Sequence, residues 1–69
     1  MIKEKRNKLG YTQEKMAEML QISLRQYVRI DTETCLPRSD IFDRLINTLD
    51  MSEEEIGTYV KTVLVKKCS

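Results

Sequence analysis

The chain has 69 residues, and it contains no histidine and no tryptophan. Without histidine, its two cysteines lack the spacing of a structural zinc site, and neither thiol has a candidate base that could activate it as a nucleophile. A glycine-rich phosphate loop is missing too. The carboxylates of residues 53–55 stand at a predicted helix start, where they assist capping. We therefore expect no catalytic residue, no metal and no cofactor, and hence not an enzyme.

The sequence also contains few cysteines and no long apolar run. Cys35 and Cys68 are too few for a disulfide framework. The first six residues are too charged for a signal peptide, and no apolar run is longer than the three residues 63–65. We expect a reduced, cytoplasmic protein that does not enter membranes.

The overall composition favours helices. Hydrophobic residues make up 41% and charged residues 33%, with four aromatics, two glycines and one proline. This balance fits amphipathic helices better than packed strands. We expect one all-α domain over residues 1–69. A chain this short buries only about 60% of its unfolded surface, so helical idealisation or dimerisation is the expected source of added stability.

The formal net charge of +1 conceals an asymmetry along the chain. Residues 1–38 carry eight basic and five acidic side chains, whereas residues 39–69 carry four basic and six acidic ones. Local charge decides how a charged partner approaches one face of a protein. The amino-terminal half could thus face nucleic acid, or its charges could simply be solvated.

Five helical segments are indicated by start and stop signals. Gly10 can end the first in the left-handed conformation, and Thr12 can cap the second. Ser23 and Ser52, each followed three residues later by Gln or Glu, form predicted capping boxes, and Ser39 is a further predicted cap. The β-branched residues 60–65 leave a strand-like or irregular tail as an alternative. The predicted segments are 2–8, 13–20, 24–31, 40–49 and 52–66.

Residues 12–31 form the most informative unit of the sequence. Two short capped helices are joined there by a very tight turn, which forces them to cross at a steep angle. Ala17, the only alanine in the chain, suits the point where two backbones come close. This geometry lets one helix lie across a phosphate backbone while the next enters the major groove.

This unit resembles the lambda-repressor-like helix-turn-helix family, the XRE or Cro/C1-type transcriptional regulators. The resemblance covers roughly residues 2–56. It implies a compact five-helix DNA-binding domain that binds a near-palindromic operator as a two-fold dimer. The matching segments are 9–20 (LGYTQEKMAEML), Ile22-Ser23, Arg29-Ile30-Asp31 and Leu36-Pro37.

The resemblance also implies roles for single residues. Gln13 matches a glutamine that bonds a backbone phosphate and braces the recognition helix. Arg6 and Asp31 match a buried structural ion pair, and Tyr27 and Ile30 match the inward face of the recognition helix, residues 24–31.

If that face points inward, rotation along the helix directs Leu24, Arg25, Val28 and Arg29 outward. The arginine guanidinium matches the two acceptors of guanine, and the apolar pair suits thymine methyl groups. The alternative is an ordinary core stripe with solvated arginines. The expected phosphate contacts are Thr12, Gln13, Lys15 and Arg38.

Several positions depart from the family pattern; the loop after the third helix lacks the usual glycine, and Arg38 stands where serine is usual. Gln21 stands where the turn usually has glycine, and a side chain in the left-handed region costs about 1 kcal/mol. Glu33 puts an acidic group near the place where a phosphate would lie. Gln21 and Glu33 slightly favour a second hypothesis, an antitoxin-like or anti-repressor module that binds a protein; steep salt dependence of binding would favour DNA instead.

The last segment carries an apolar stripe at helical spacing. We expect this stripe to contribute to dimerisation, and the alternative is that it packs on the first and fourth helices of its own domain. Its members are Ile56, Tyr59, Val60, Val63 and Leu64.

Overall fold

The computed structural model describes the backbone of residues 1–68 and the side chains of residues 1–65. Within residues 1–68 the chain forms five α-helices and no strand, which confirms the expected all-α fold. The side chain of Cys68 lies outside the described residues. The helices are α1 (Ile2–Lys8), α2 (Gln13–Leu20), α3 (Leu24–Asp31), α4 (Ser39–Leu49) and α5 (Glu53–Cys68).

The turn between α1 and α2 follows the predicted signals. Gly10 has a φ of +79°, the left-handed conformation that glycine adopts without steric cost. The next amide, that of Tyr11, donates to the Arg6 carbonyl at 3.1 Å. Thr12 then caps α2, because its hydroxyl accepts a hydrogen bond from the Lys15 amide at 3.0 Å.

The turn between α2 and α3 places a non-glycine residue in the left-handed region. Gln21 has φ 58° and ψ 44°, the left-handed conformation expected at a turn position where the family usually has glycine. Arg44 supports this strained turn from α4, since its Nη1 donates to the Leu20 carbonyl and to Gln21 Oε1, each at 3.3 Å. Arg44, which is 24 residues away from Leu20 in the sequence, therefore stabilises the end of α2.

Helix α4 begins one residue earlier than the sequence predicts. Ser39 is its first helical residue rather than its cap, and Arg38 occupies the cap position without a side-chain capping bond. The Arg38 carbonyl already accepts a hydrogen bond from the Phe42 amide at 2.7 Å. That bond sets the start of the helix, so the prediction of Ser39 as the cap is wrong.

The carboxy-terminal segment is helical, and the strand-like alternative is wrong. Ser52 and Glu55 form the predicted capping box, with bonds of 2.9 and 3.2 Å. From there α5 continues through the β-branched residues to Cys68. Tyr59 and Val63, four residues apart, are both fully buried. Burial of one helical face outweighs the weak strand preference of the β-branched side chains.

The core lies where the first four helices meet one face of α5. Helix α2 packs most closely on α3, and it also contacts α4, while α1 contacts α3. The radius of gyration is 11.1 Å, close to the value of about 11 Å expected for a compact chain of this length. No helix within residues 1–68 is both long and apolar enough to span a membrane. The buried apolar residues are Ile2, Met16, Ala17, Leu20, Tyr27, Ile30, Ile41, Leu45, Leu49, Met51, Tyr59 and Val63.

Candidate nucleic-acid interface

Helix α3 has one buried face and one exposed face. Tyr27, Ile30 and Asp31 are buried against the rest of the domain. The opposite face consists of the four residues expected to point outward. Val28 is half-buried, and the other three are exposed, Leu24 by 42%. The exposed face of α3 is thus formed by Leu24, Arg25, Val28 and Arg29.

The two arginines on this face are free of competing carboxylates. Among residues 1–65, no carboxylate oxygen lies within 4.0 Å of Arg25 or Arg29. They are four residues apart, so their side chains leave the same side of the helix about one turn from each other. Two unpaired guanidinium groups with several donors each are thereby available to an anionic partner.

A buried polar cluster holds the other side of α3, and Asp31 is its centre. Asp31 Oδ1 accepts hydrogen bonds from Arg6 Nε at 2.9 Å and from the Tyr27 hydroxyl at 3.0 Å. Its Oδ2 accepts from Gln13 Nε2 at 3.1 Å. The same arginine donates through Nη1 to the Tyr11 carbonyl at 2.8 Å. The cluster therefore ties α1, the α1–α2 turn and the start of α2 to the end of α3.

The ionisation of this cluster follows from its hydrogen bonds. Burial by itself would raise the pKa of Asp31, but the bonds from Arg6, Gln13 and Tyr27 outweigh it and lower that pKa. Burial and the adjacent carboxylate raise the pKa of Tyr27, so its hydroxyl stays protonated and donates. Within residues 1–65, every buried side-chain nitrogen or oxygen has a hydrogen-bond partner.

The two ends of α3 are closed by side chains. Ser23 and Gln26 form the predicted capping box, with bonds of 3.1 and 3.2 Å between each side chain and the other residue's amide. At the other end, the Thr32 hydroxyl donates to the Val28 carbonyl at 2.8 Å, and the Thr34 hydroxyl donates to the Arg29 carbonyl at 3.1 Å. The capping box satisfies two amides that the start of a helix leaves open. The two threonine hydroxyls add second bonds to carbonyls that already accept the Thr32 and Thr34 amides at 3.0 Å.

The four expected phosphate contacts differ in their surroundings. Thr12, Lys15 and Arg38 are exposed. Arg38 Nε lies 3.5 Å from Asp40 Oδ1 in a pair whose side chains are 81% and 59% exposed, which makes it a weak and easily exchanged contact. Gln13 is half-buried, and its amide nitrogen already donates to the carboxylate at the end of α3.

Glu33 is turned away from the exposed face of α3. It has a φ of 59°, and its Oε1 accepts a hydrogen bond from the Ile2 amide at 3.2 Å at the start of α1. Its side chain is only 14% exposed. The carboxylate thus stabilises the positive end of α1 instead of facing outward. The sequence indicated Glu33 near the place where a phosphate would lie, and the structure shows that its carboxylate is committed to the start of α1.

The apolar stripe of α5 divides into a buried part and an exposed part. Tyr59 and Val63 are fully buried in the domain's own core, Ile56 and Val60 are half-buried, and Leu64 is 49% exposed. Tyr59 and Val63 therefore cannot contact a second subunit, because neither side chain is exposed. This corrects the expectation that all five residues of the stripe contribute to dimerisation.

Tyr59 also connects α5 to the segment that follows α3. Its hydroxyl donates to the Cys35 carbonyl at 2.9 Å, and its ring meets that of Phe42 edge to face, with centroids 5.7 Å apart. At the start of the same helix, Lys5 Nζ lies 2.8 Å from Glu55 Oε2. Tyr59 and Cys35 are 24 residues apart, and Lys5 and Glu55 are 50 residues apart, so no local sequence signal could have identified these two contacts.

Comparison with known proteins agrees with this architecture. The sequence pattern of a family described as a helix-turn-helix domain matches residues 1–60. No curated protein and no solved structure gives a significant match to the chain.

Proposed function

Because the chain belongs to the helix-turn-helix domain family, we propose that it is a sequence-specific regulator of transcription that places α3 in the major groove of double-stranded DNA. The observation that carries this proposal is the exposed face of α3. Its two unpaired arginines stand on a helix whose opposite face is anchored by core residues and by Asp31. A helix held in this way presents base-reading side chains at fixed positions.

A finer assignment to the lambda-repressor-like, XRE or Cro/C1-type branch is part of the proposal. The buried contact between Arg6 and Asp31 and the bond from Gln13 to that carboxylate support it. Helix-turn-helix domains act by binding, and we assign no reaction to this chain. A regulator of this kind works where the DNA is, so we propose a cytoplasmic location.

Each residue of the interface receives a role from its chemistry. Arg25 and Arg29 donate to guanine O6 and N7, while Leu24 and Val28 contact thymine methyl groups. The phosphate contacts are Thr12, Gln13, Lys15 and Arg38. An amide nitrogen carries two hydrogens, so Gln13 can bond Asp31 with one and a phosphate with the other.

We further propose that the protein binds a near-palindromic site as a homodimer. The exposed end of the α5 stripe supports this, since Leu64 and Val65 are 49% and 60% exposed. With Tyr59 and Val63 in the core, the dimer contact reduces to these residues and the half-buried Ile56 and Val60. Two-fold symmetry would set the two copies of α3 about one DNA turn apart.

Selection from a random-duplex library at physiological salt tests the DNA proposal. The full chain should enrich an inverted repeat, and its affinity should fall steeply as salt rises. Arg25→Ala should lose about 1–3 kcal/mol on the selected site and relax base preference at one position. Lys61→Ala, an exposed cation on α5, is the matched control and should change neither property. Equal losses for Arg25→Ala on specific and random duplexes would refute base reading by Arg25.

The dimer is tested by sedimentation equilibrium on matched leucine variants. Leu64→Asn should weaken self-association. Leu9→Asn should leave it unchanged, because Leu9 is equally exposed, at 48%, but lies beside α1. A chain that is monomeric at every concentration would contradict the proposed dimer, and equal weakening by both variants would contradict the role of Leu64.

A protein-binding module on the same scaffold is the second candidate function. The exposed apolar side chains Leu24 and Leu36, 42% and 38% accessible, favour it because both lie on α3 or the segment that follows it. If the folded protein enriches no duplex in the selection, protein binding replaces DNA binding as the proposed function. Salt-insensitive binding of a protein partner that is lost in Leu24→Asn would then support it.

A further inference from the structure

A groove of about 370 Å³ lies beside α3, and it shares one residue, Arg29, with the proposed base-reading face. One wall is the side of α3 that carries Gln26, Arg29 and Ile30. The opposite wall is the segment from Cys35 to Arg38 together with Ile41 of α4. Small-molecule sites in proteins have volumes of roughly 300–1,000 Å³, so the groove is at the lower end of that range.

The groove has an apolar base and a cationic rim. Ile30 and Ile41 are 2% and 6% exposed and form the base, and Leu36, 38% exposed, stands on the wall. Arg29 and Arg38 both line the groove, and none of its lining residues is acidic. The weak contact between Arg38 and Asp40 does not neutralise this rim, because both side chains are largely solvated.

We propose that this groove binds a small amphipathic carboxylate, with its hydrocarbon part on Ile30, Leu36 and Ile41 and its anionic head between Arg29 and Arg38. An apolar base favours a ligand with a hydrocarbon body. A rim with two guanidinium groups favours a carboxylate over a neutral or cationic head group, since arginine binds carboxylates through paired hydrogen bonds.

The position of the groove gives the ligand a regulatory effect, which rests on the proposed DNA-binding function. Arg29 belongs both to the groove and to the exposed face of α3. A carboxylate bound to its guanidinium removes the donors that a base edge would use, and it adds negative charge beside the DNA. Ligand and DNA therefore exclude each other at Arg29, and the ligand lowers DNA affinity by competition.

Ligand binding is tested by titrating the ¹⁵N-labelled full chain with decanoate below its micelle concentration. Amide shifts should change at residues 29–30, 35–36 and 38–41 and saturate. Decanol and decylamine have the same chain without the anionic head, and each should bind about tenfold more weakly or worse. Equal binding of all three would overturn the role of the arginines, and the absence of saturable shifts with decanoate would overturn the site.

Matched variants locate the ligand. Arg29→Gln and Leu36→Ser should each weaken decanoate binding about tenfold. Arg25→Gln and Leu9→Ser remove an exposed arginine and an exposed leucine that do not line the groove, so decanoate affinity should stay unchanged. All four side chains are exposed, and circular dichroism verifies that each variant remains helical. Equal effects in both pairs would overturn the placement.

Competition with DNA is measured separately, by fluorescence anisotropy of a labelled duplex of the selected site. Decanoate should displace the duplex from the unsubstituted chain and from Leu9→Ser, whereas decanol should not. Simultaneous binding of decanoate and duplex would overturn the regulatory effect. If the chain binds no duplex, the proposed function fails, while the decanoate titration still decides whether the groove is a ligand site.

Discussion

Asp31→Asn is the substitution that tests most directly the buried polar cluster around Asp31, which anchors α3. The substitution keeps the size of the side chain but removes its charge and replaces one acceptor oxygen with a donor nitrogen. Oδ1 accepts from Arg6 Nε and the Tyr27 hydroxyl, and Oδ2 accepts from Gln13 Nε2 and, at 3.5 Å, from Arg6 Nη2. Whichever oxygen is lost, at least one donor faces another donor, and the arginine keeps a buried charge without a counterion.

The magnitude follows from burial. The side chains of Arg6 and Asp31 are 8% and 2% exposed, so solvent screens their interaction little. Removing one partner of such a buried pair costs about 3–5 kcal/mol. At about 0.05–0.15 kcal/mol per residue, a chain of 69 residues has a total unfolding free energy of about 3–10 kcal/mol. Asp31→Asn should therefore remove a large share of the stability, or all of it.

Urea unfolding followed by far-ultraviolet circular dichroism measures this loss. Asp43→Asn is the control, because Asp43 is exposed on α4, and it should change the unfolding free energy by about 0.5 kcal/mol or less. The double variant Arg6→Met with Asp31→Asn should lose clearly less than the sum of the two single losses, since it also removes the uncompensated charge. A loss below about 1 kcal/mol in Asp31→Asn, or additive losses in the double variant, would refute this account of the cluster.

Further predictions concern pH, the α2–α3 turn and the anchoring of α5. The pKa of Asp31 is lower in the folded than in the unfolded chain, so its stabilisation is present above the unfolded value of about 3.9 and is lost as pH falls toward the folded pKa. Urea midpoints of the unsubstituted chain and Asp31→Asn should therefore converge in acid; a constant gap would contradict this linkage. Gln21→Gly should raise the unfolding free energy by about 0.5–1 kcal/mol by relieving the left-handed strain, whereas Glu18→Gly, inside α2, should lower it by about 1 kcal/mol. Destabilisation by both in thermal melts would show that the bond from Arg44 to Gln21 outweighs that strain. Tyr59→Phe should lower the unfolding free energy by about 1–2 kcal/mol because it leaves the Cys35 carbonyl without its donor, and an unchanged melt would rule out that contribution.

Local signals in the sequence were sufficient for most helix bounds. Glycine at position 10 has the left-handed angles that end α1, and the capping residues Thr12, Ser23 and Ser52 make the hydrogen bonds expected of them. Such signals work because a cap joins a side chain to an amide only a few residues away. The start of α4 was missed by one residue because Arg38, a residue type without a capping preference, occupies the cap position and makes no side-chain capping bond.

The residues on the two faces of α3 in the candidate interface could also be predicted from the sequence. The positions of Tyr27 and Ile30 gave the inward face of α3 through the family resemblance, and rotation along the helix then gave the exposed Arg25 and Arg29. A face is a periodic property of one helix, so it is readable from sequence even where the partner is not.

The sequence by itself determined five helical segments and the caps Thr12, Ser23 and Ser52, because each depends on residues within about one or two turns of one another. Through the family resemblance it also indicated the two faces of α3. Only the tertiary structure decided which of several similar side chains are buried in the core, which contact another helix and which remain exposed. It directs Glu33 to the start of α1, commits Tyr59 and Val63 to the core, and leaves Leu64 exposed. It also brings Arg29 and Arg38 to the rim of one groove. These outcomes depend on how helices distant in sequence pack together, and packing selects among residues that helical periodicity treats as equivalent.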